Sequence, residues 1–220
     1  MLKLWPRVIS AVYAPLGWRR ARWVLKLIAP HLPDHPELGR VLDLGAGTGH
    51  TAAVLARAGW AVTLADVPPH ARALGQRLVA HPIAARLARN AGLRRVLYDE
   101  ERLPFPDASF DVVLLAFVLH HCPDPLAVLC ESVRVCVSSS GAGRVLVLED
   151  GDDHPPGRLN QLADALINLE FGHPHGERSR SGWLELFAAS GLEVLREQPF
   201  TSRFGGLKGR HRLYVLGCLR

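Results

Sequence analysis

The sequence VLDLGAGTGH, residues 41–50, decides the fold of this chain. A short aliphatic run that contains one acid leads directly into a turn with three glycines, and a helical pattern follows. A strand, a glycine-rich turn and a helix in succession are typical of the first unit of an open α/β sheet. Glycine in such a turn lets a ligand come close to the backbone. The stretch therefore predicts a ligand site, and the identity of that ligand is the question it raises.

Beyond this turn, short β-branched or aliphatic runs alternate with helical patterns. The predicted strands are 40–44, 61–65, 93–98, 110–117 and 144–149, and the predicted helices are 48–58, 69–90 with an interruption at Pro82, and 124–137. This alternation predicts a parallel sheet covered on both faces.

The two ends of the chain differ from this middle part. Residues 16–28 form an amphipathic pattern, which the Pro- and His-rich run 31–36 breaks as a hinge. After the fifth strand we expect helices at 158–171 and 181–190, then strands 192–199 and 211–219 joined by a turn around 205–209. We predict a Rossmann-like three-layer α/β sandwich, whose seven-stranded, mostly parallel sheet ends in a C-terminal antiparallel hairpin. The expected division is a helical cap, 1–36, and a ligand-binding domain, 37–220, with an insertion at about 150–182.

Composition bounds the function classes. The 220 residues are enough for one domain, and the formal charge of +5 with a pI near 9.4 fits contact with an anionic surface without requiring it. No C-x-x-C pair is present, so we expect four free thiols in a reducing compartment, and therefore a cytoplasmic protein. No uncharged run reaches the ~18 residues of a membrane span.

The glycine turn departs from the dinucleotide pattern. A diphosphate site takes G-x-G-x-x-G, whose last glycine allows the helix and strand to pack closely. Gly45 and Gly47 match that pattern, but His50 occupies the last position and Gly49 comes one residue early. The sequence therefore favours a ligand without a diphosphate.

A second stretch, DEERLPFPDASFD at residues 99–111, narrows the class. An acid followed by L-P-F-P-D-x-S-F-D and an aliphatic strand resembles the signature of class I methyltransferases that use S-adenosylmethionine (SAM). Within that class it resembles the small-molecule branch that includes ubiquinone/menaquinone and sterol methyltransferases. It covers about residues 40–149, half of the chain.

The resemblance implies SAM as cofactor, S-adenosylhomocysteine as product, and a set of cofactor-binding residues. Asp43 would meet the ammonium group, Asp66 would bind both ribose hydroxyls, and Asp99 would accept a hydrogen bond from the adenine amino group. Leu103 and Phe105 would pack the sheet edge. The remaining implied contacts are Gly45, Ala46, Gly47, Gly49, Val67, Glu100, Ala116 and Phe117.

Candidate catalytic and acceptor residues follow the fourth and fifth strands. His120 and His121 lie just beyond the fourth strand, where a histidine could act as a base for a hydroxyl or an acidic carbon. We expect acceptor contacts from Tyr13, Trp18, His154 and His173. The acids 149–153 could bind a hard cation, but one such cluster is weak evidence and we predict no metal.

The predicted function is methyl transfer to oxygen or carbon of a small organic acceptor, for which a quinone, a lipid or a secondary metabolite is a candidate. Nucleic acid is not an expected partner, since the fourth strand lacks the Pro-Pro-aromatic ending of nucleic-acid amino-methyltransferases. Three alternatives stay open: a lipid methyltransferase that docks on membrane through its basic N-terminal helix, a non-catalytic SAM-binding or partner-binding domain, and a nicotinamide oxidoreductase.

Overall fold

One seven-stranded sheet organises the computed structural model, which describes residues 5–35, 39–67, 70–71, 76–77, 82–98, 102–136, 143–150, 176, 178–204 and 207–218. The helices are α1 (Trp5–Ile28), α2 (His50–Arg57), α3 (Pro82–Ala91), α4 (Pro125–Val135) and α5 (Arg180–Ala189), with 3-10 turns at Ala29–His31 and Leu119–His121. The strands are β1 (Arg40–Leu44), β2 (Ala61–Asp66), β3 (His70–Ala71), β4 (Gln76–Arg77), β5 (Arg94–Leu97), β6 (Val112–Ala116), β7 (Arg144–Asp150), β8 (Leu192–Phe204) and β9 (Leu207–Cys218).

The strand order of the sheet is β5-β2-β1-β6-β7-β9-β8. The first five strands of this order are parallel, whereas β9 runs antiparallel to both β7 and β8. The predicted fold class is thereby confirmed. The order reverses between β1 and β6, and open α/β sheets bind their ligands in the crevice at the carboxyl ends of such strands.

Alternate residues of the strands bury their side chains on opposite faces of the sheet. In β7, Val145 and Val147 belong to the cluster covered by α4 and α5, and Leu146 and Leu148 belong to the cluster covered by α1, α2 and α3. Strands buried on both faces read as continuous aliphatic runs, which is why β6 and β7 were visible in the sequence.

Helix α1 begins at Trp5, earlier than predicted, and continues through Pro15. The predicted start was wrong because Pro15 was treated as a boundary, since proline removes a backbone donor and usually ends or kinks a helix. The turns after Pro15 bury Ala21, Val24 and Ile28, and this packing offsets the lost hydrogen bond. None of the described helices is both long and apolar enough to cross a bilayer.

Two other predicted boundaries were wrong. The first half of the predicted helix 69–90 contains the short antiparallel pair β3–β4, because strand pairing overrides a weak helical propensity. Helix α3 begins only at Pro82, because proline suits the first position of a helix. In the hairpin, the ladder extends to the pair Phe204 and Leu207, so the connection is shorter than the Gly- and Lys-rich composition suggested. The predicted helix 158–171 lies outside the described residues.

Candidate cofactor and acceptor site

Backbone geometry fixes the glycine turn after β1. Gly45, Gly47 and Gly49 have φ angles of +71°, +50° and +75°, in the left-handed region that favours glycine. The Gly45 N–H donates to Ala65 O at 2.8 Å. A Cβ on Gly45 would lie only 2.5 Å from Cγ1 of Val118, so the turn is in direct contact with the segment that follows β6.

Asp66, the last residue of β2, ties its strand to this turn. Its Oδ2 accepts a hydrogen bond from Gly47 N–H at 2.8 Å, and its Oδ1 accepts one from Val67 N–H at 2.9 Å. The Ala46 N–H donates to Ala65 O, at 3.3 Å. The carboxylate therefore lies beside the turn, at the carboxyl edge of the sheet.

Asp43 lies beneath the same turn and is only 2% exposed. Its Oδ2 is buried and has no hydrogen-bond partner within the described part of the chain. Burial, and secondarily the negative charge of Asp66, raises the pKa of Asp43 to about 7. A buried carboxyl with an unsatisfied oxygen is costly, so this position suits a ligand that brings a cationic donor.

His50, which occupies the last glycine position of the pattern G-x-G-x-x-G, is a packing residue. It is 3% exposed, its Nδ1 lies 3.0 Å from Thr48 Oγ1, and its ring meets the Trp18 ring edge-on with centroids 5.1 Å apart. A Cβ on Gly17 would lie 2.8 Å from His50 Cε1. In a diphosphate-binding turn, a glycine at this position allows the helix and the strand to pack closely. Here the imidazole of His50 fills that space, and it joins α1 to the glycine turn.

The end of β6 carries a strained residue. Phe117, which follows Ala116, has a φ of +62°, a conformation that costs free energy for a residue with a side chain. Its N–H donates to Leu148 O at 2.8 Å. The guanidinium of Arg20 lies 4.4 Å from the Phe117 ring centroid, so α1 covers this end of the strand.

A buried carboxylate organises the turn after Phe117. Glu149 is 0% exposed, and its Oε1 accepts hydrogen bonds from the N–H groups of Val118 and Leu119 at 2.9 and 2.7 Å. Its Oε2 lies 2.6 Å from His120 Nδ1. Since an ionised carboxylate only accepts hydrogen bonds, this pairing favours the tautomer of His120 that has its proton on Nδ1. The His121 ring packs against His120, with centroids 4.0 Å apart.

His211 is a candidate that sequence reasoning missed. It lies opposite Asp150 in the antiparallel pair β7–β9, and its Nδ1 is hydrogen-bonded to Asp150 Oδ1. Its ring contacts Phe117 and Phe200, with centroids 5.0 and 5.2 Å apart. It also lines an open groove of about 160 Å³ with Pro199, Phe200, Thr201, Arg210 and Arg212. His211 can be identified from the pairing register of β7 and β9, but that register is not visible as a residue pattern in the sequence.

The remaining predicted residues have varied positions. Trp18 packs on α2, where the guanidinium of Arg57 lies 4.3 Å from the ring centroid. Tyr13 lies in α1, and its side chain is outside the described part. Four predicted site residues also lie outside the described residues: Asp99, Glu100, His154 and His173.

The L-P-F-P-D motif is held by one arginine. Leu103 and Phe105 are 2% and 6% exposed and belong to the core, which confirms that they are packing residues. Arg134 donates to the carbonyls of Leu103 and Phe105 at 3.0 and 2.8 Å. It also pairs with Asp107 and Glu131, each at 2.7 Å. The hydrogen bonds that Arg134 donates to the Glu131 carboxylate are the main cause that raises the pKa of Arg134.

The acidic end of β7 was the metal candidate. Glu149 and Asp150 each hold a histidine, and no group of three His, Cys, Asp or Glu side chains converges anywhere among the described residues. The other acids of that run, Asp152 and Asp153, lie outside the described residues.

The residues at the carboxyl edge of β1 and β2 fit SAM better than a dinucleotide. The unsatisfied oxygen of Asp43 suits the ammonium of an amino-acid tail, and the two oxygens of Asp66 suit a pair of ribose hydroxyls. His50 fills the space that a diphosphate turn needs. The fit therefore rests on the buried polar groups and on the glycine cradle.

Comparison with known proteins agrees with this geometry. Residues 42–140 match the family model described as a methyltransferase domain. The ubiquinone/menaquinone biosynthesis C-methyltransferase UbiE of Methylobacterium nodulans is 33% identical over 198 residues, which cover 87% of this chain and 71% of that protein. The uncharacterised methyltransferase YcgJ of Bacillus subtilis is 30% identical over 158 residues, 70% of this chain and 56% of that protein. Among demethylmenaquinone methyltransferases, the chain spans 40% of the length of one relative and 57% of another.

Solved structures share the fold. A SAM-dependent methyltransferase of Thermotoga maritima superposes with a TM-score of 0.65 at 19% identity, with full coverage of both chains (100% and 100%). Together with the relative that is one-third identical over most of both proteins, these findings show that the chain belongs to the class I SAM-dependent methyltransferases and that its cofactor is SAM.

Proposed function

We propose that this methyltransferase modifies oxygen or carbon of a small, hydroxylated ring acceptor of the quinol type, with His120 as the base. The relatives named as a ubiquinone/menaquinone biosynthesis C-methyltransferase and as a demethylmenaquinone methyltransferase support this acceptor class. A quinol ring has acidic hydroxyls, and deprotonation of one hydroxyl makes both its oxygen and the adjacent ring carbon nucleophilic. The acceptor thus needs a base more than it needs a metal.

The observation that carries the proposal is the bond between His120 and the buried Glu149. The 2.6 Å contact favours the tautomer with the proton on Nδ1. The two backbone N–H groups that donate to Glu149 hold the turn in place. A base held in one orientation can contribute about 10²–10⁴-fold to the rate. Glu149 is in this scheme a positioning residue.

The cofactor supplies an activated methyl group on a sulfonium, and this chain supplies its binding and orientation. In the proposed site Asp43 pairs with the ammonium, Asp66 binds the ribose hydroxyls, and the glycine turn with Val67, Ala116 and Phe117 forms the surrounding wall. The proposal also keeps Asp99 and Glu100 at the adenine, and Tyr13, Trp18, His154 and His173 as acceptor contacts. Residues 1–36 act as a cap on the domain 37–220.

Methyl transfer to a defined quinol tests the proposal. We expect the protein to transfer labelled methyl from SAM to 2-prenyl-1,4-naphthalenediol kept reduced by dithionite. His120→Asn should lower turnover by about 10²-fold while S-adenosylhomocysteine binding stays unchanged, and His35→Asn, at an exposed histidine, should change neither. Cofactor binding without transfer to the diol would reject the quinol acceptor, and no transfer to any cell-extract component would favour a non-catalytic domain.

A second candidate, a peripheral lipid methyltransferase, is favoured by one feature of α1. Arg19, Arg22 and Lys26 are exposed and lie at helical spacing on one stripe, whereas Arg20 lies over Phe117. A stripe of this kind can bind anionic lipid headgroups with about 1 kcal/mol per cation. Co-sedimentation with phosphatidylserine vesicles should then fall with salt and with the triple substitution of these residues by glutamine, while Arg20→Gln should leave it unchanged.

A further inference from the structure

Two of the four cysteines lie together at the edge of the sheet that is opposite the glycine turn. Cys136 is the residue at which α4 ends, and it forms a parallel bridge with Phe110. Its Sγ lies 3.6 Å from the carbonyl oxygen of Arg144, the first residue of β7. Arg144 pairs with Gly217 of β9, and the next residue of β9 is Cys218. The end of α4 and the end of β9 therefore meet at the start of β7.

The side chains of these two cysteines lie on the same face of the sheet. Tyr214 and Leu216 of β9 bury their side chains in the core cluster covered by α4 and α5, and alternate residues of a strand share one face. Cys218 continues this alternation and packs against the same cluster, of which Cys136 is a member. A hydrogen bond links the Cys136 thiol to the Cys218 sulfur, so the two sulfur atoms are neighbours.

The two thiols differ in exposure and in acidity. Cys136 is 1% exposed, whereas Cys218 is partly exposed. The pKa of the Cys218 thiol is lowered, chiefly by the hydrogen bond from Cys136; burial raises this pKa, and the positive charge of Arg144 lowers it. The residue of β8 that pairs with Cys218 is the apolar Leu192. A partly exposed thiol with a lowered pKa beside a second thiol is typical of a redox-sensitive pair.

We propose that Cys136 and Cys218 form a reversible disulfide when the protein meets a hydroperoxide, with Cys218 as the thiol that reacts first and Cys136 as the thiol that resolves it. This modification site does not depend on the proposed acceptor. It lies at the Arg144 end of the ladder between β7 and β9, whereas the Asp150 end belongs to the carboxyl edge, where the cofactor site lies. Oxidation should therefore leave the affinity for S-adenosylhomocysteine unchanged.

The chemistry takes two steps, with hydrogen peroxide as the oxidant. The Cys218 thiolate attacks one peroxide oxygen, the O–O bond breaks, and the products are a sulfenic acid on Cys218 and a hydroxide ion, which takes up the proton that the thiol lost. The Cys136 sulfur then attacks the sulfenic sulfur, the S–S bond forms, and the S–O bond breaks; the hydroxyl group leaves as water with the Cys136 proton. The two thiols lose two electrons and two protons, and the peroxide becomes two molecules of water. A dithiol reverses the reaction by thiol–disulfide exchange.

Peptide mapping tests the pairing. The protein is treated with hydrogen peroxide, its remaining thiols are blocked with N-ethylmaleimide, and a tryptic digest is read by mass spectrometry without reduction. We expect the peptides 135–144 and 213–220, which contain Cys136 and Cys218, to be joined, and to separate after addition of dithiothreitol. Cys130→Ser, at an exposed cysteine of α4, should not change this result, and Cys218→Ser should abolish it.

Two substitutions of Cys136 separate the roles of its sulfur. Cys136→Ser keeps a hydrogen-bond donor and removes the resolving sulfur, whereas Cys136→Ala removes both. In Cys136→Ser, peroxide should leave a sulfenic acid on Cys218, which dimedone labels, and iodoacetamide should alkylate Cys218 as fast as in the wild type. In Cys136→Ala, alkylation of Cys218 at pH 6.5 should be about fivefold slower, because the thiolate has lost its hydrogen bond.

The melting temperature gives a second readout on the wild type and on Cys218→Ser, so the test does not depend on substitution of the buried Cys136. The disulfide closes the long segment between α4 and the end of β9, and such a link restricts the unfolded chain. Peroxide should therefore raise the melting temperature of the wild type and not that of Cys218→Ser, and dithiothreitol should reverse the shift.

Three results would overturn the proposal. The first is a linked pair of peptides other than 135–144 and 213–220, or none. The second is a melting temperature that does not rise on oxidation, or that rises equally in Cys218→Ser, because the two sulfur atoms would then not meet in the native fold. The third is alkylation of Cys218 at the same rate in the wild type and in Cys136→Ala, which would show that Cys136 does not activate Cys218.

Discussion

Gly45 and Val118 approach each other so closely that no side chain fits between them, since a Cβ on Gly45 would lie 2.5 Å from Val118 Cγ1. The contact joins the first turn of the sheet to the segment after β6, which also carries Phe117 and His120. The proposed cofactor-binding and acceptor-binding parts of the site thus share one packed boundary.

Gly45→Ala should therefore destabilise the protein and weaken cofactor binding. Gly92→Ala is a matched control, because Gly92 also has a positive φ, +64°, but a Cβ there meets no atom within 4 Å. Both variants incur the left-handed backbone cost of about 1–2 kcal/mol, and only Gly45→Ala adds a clash, worth about 1–3 kcal/mol more. Urea unfolding measures the difference, which Val118→Ala should reduce in the double variant. An equal loss in the free energy of unfolding for both variants would contradict the close contact between Gly45 and Val118.

Asp66→Asn should lower the affinity for S-adenosylhomocysteine by about tenfold or more, because it weakens charge-assisted hydrogen bonds of ~1.5–3 kcal/mol each. The same change should lower the pKa of Asp43, since the charge of Asp66 helps to raise it. Calorimetry checks the affinity. Asp111→Asn is the control, because Asp111 pairs with Arg40 at 3.2 Å on the opposite edge of the sheet, and it should leave cofactor affinity unchanged.

The buried Asp43 should make the stability of the ligand-free protein depend on pH. Its folded pKa of about 7 lies above the ordinary value of 3.8 for this side chain, so the folded state binds more protons between these values. Stability should then fall as the pH rises from about 4 to 7, by at most about 1.4 kcal/mol per pH unit from this group. Asp43→Asn should remove this slope, which urea unfolding at pH 5, 6 and 7.5 can measure. Parallel pH profiles of wild type and variant would show that the carboxyl is not protonated.

Cofactor affinity should show the opposite trend at the same residue. A ligand ammonium would pair with ionised Asp43, so the affinity for S-adenosylhomocysteine should rise between pH 5.5 and 7.5. Binding should release a proton, and the binding enthalpy measured by calorimetry should therefore depend on the ionisation enthalpy of the buffer. In Asp43→Asn the affinity should be lower and this rise should disappear. A wild-type affinity that does not change over this range would place the ammonium elsewhere.

Arg134→Lys should destabilise the fold without changing cofactor affinity. A lysine cannot reproduce the fork that reaches the carbonyls of Leu103 and Phe105 and the carboxylate of Glu131 together. We expect a loss of about 1–3 kcal/mol in the free energy of unfolding. Arg180→Lys, at a half-exposed arginine paired with Glu197, is the control and should leave the unfolding midpoint unchanged. A destabilisation no larger than that of the control would show that the hydrogen bonds of Arg134 to Leu103, Phe105 and Glu131 do not stabilise the fold.

Local patterns were sufficient for the sheet and for part of the site. The aliphatic runs of β1, β6 and β7 are buried on both faces, so they stand out in the sequence, and Asp66 could be placed because it ends a strand next to the glycine turn. His211 could not be placed, because its proximity to Asp150 depends on the insertion of β9 between β7 and β8. That register comes from long-range pairing, and no spacing in the sequence records it.

Two other features were beyond sequence reasoning for physical reasons. The strained φ of Phe117 is set by its surroundings, since phenylalanine has no local preference for that conformation. The helix through Pro15 persists because later turns are buried, and burial is a property of the tertiary structure. In both cases packing energy outweighs a local rule.

The hydrogen bonds of Arg134 hold a segment that lies away from the contacts of α1. Arg134 anchors the segment 102–111 to the face covered by α4 and α5, whereas Phe117, Phe200 and His211 lie with the α1 contacts. Substitutions at the ends of β6 and β9 can therefore be made without removing the hydrogen bonds that anchor the segment 102–111.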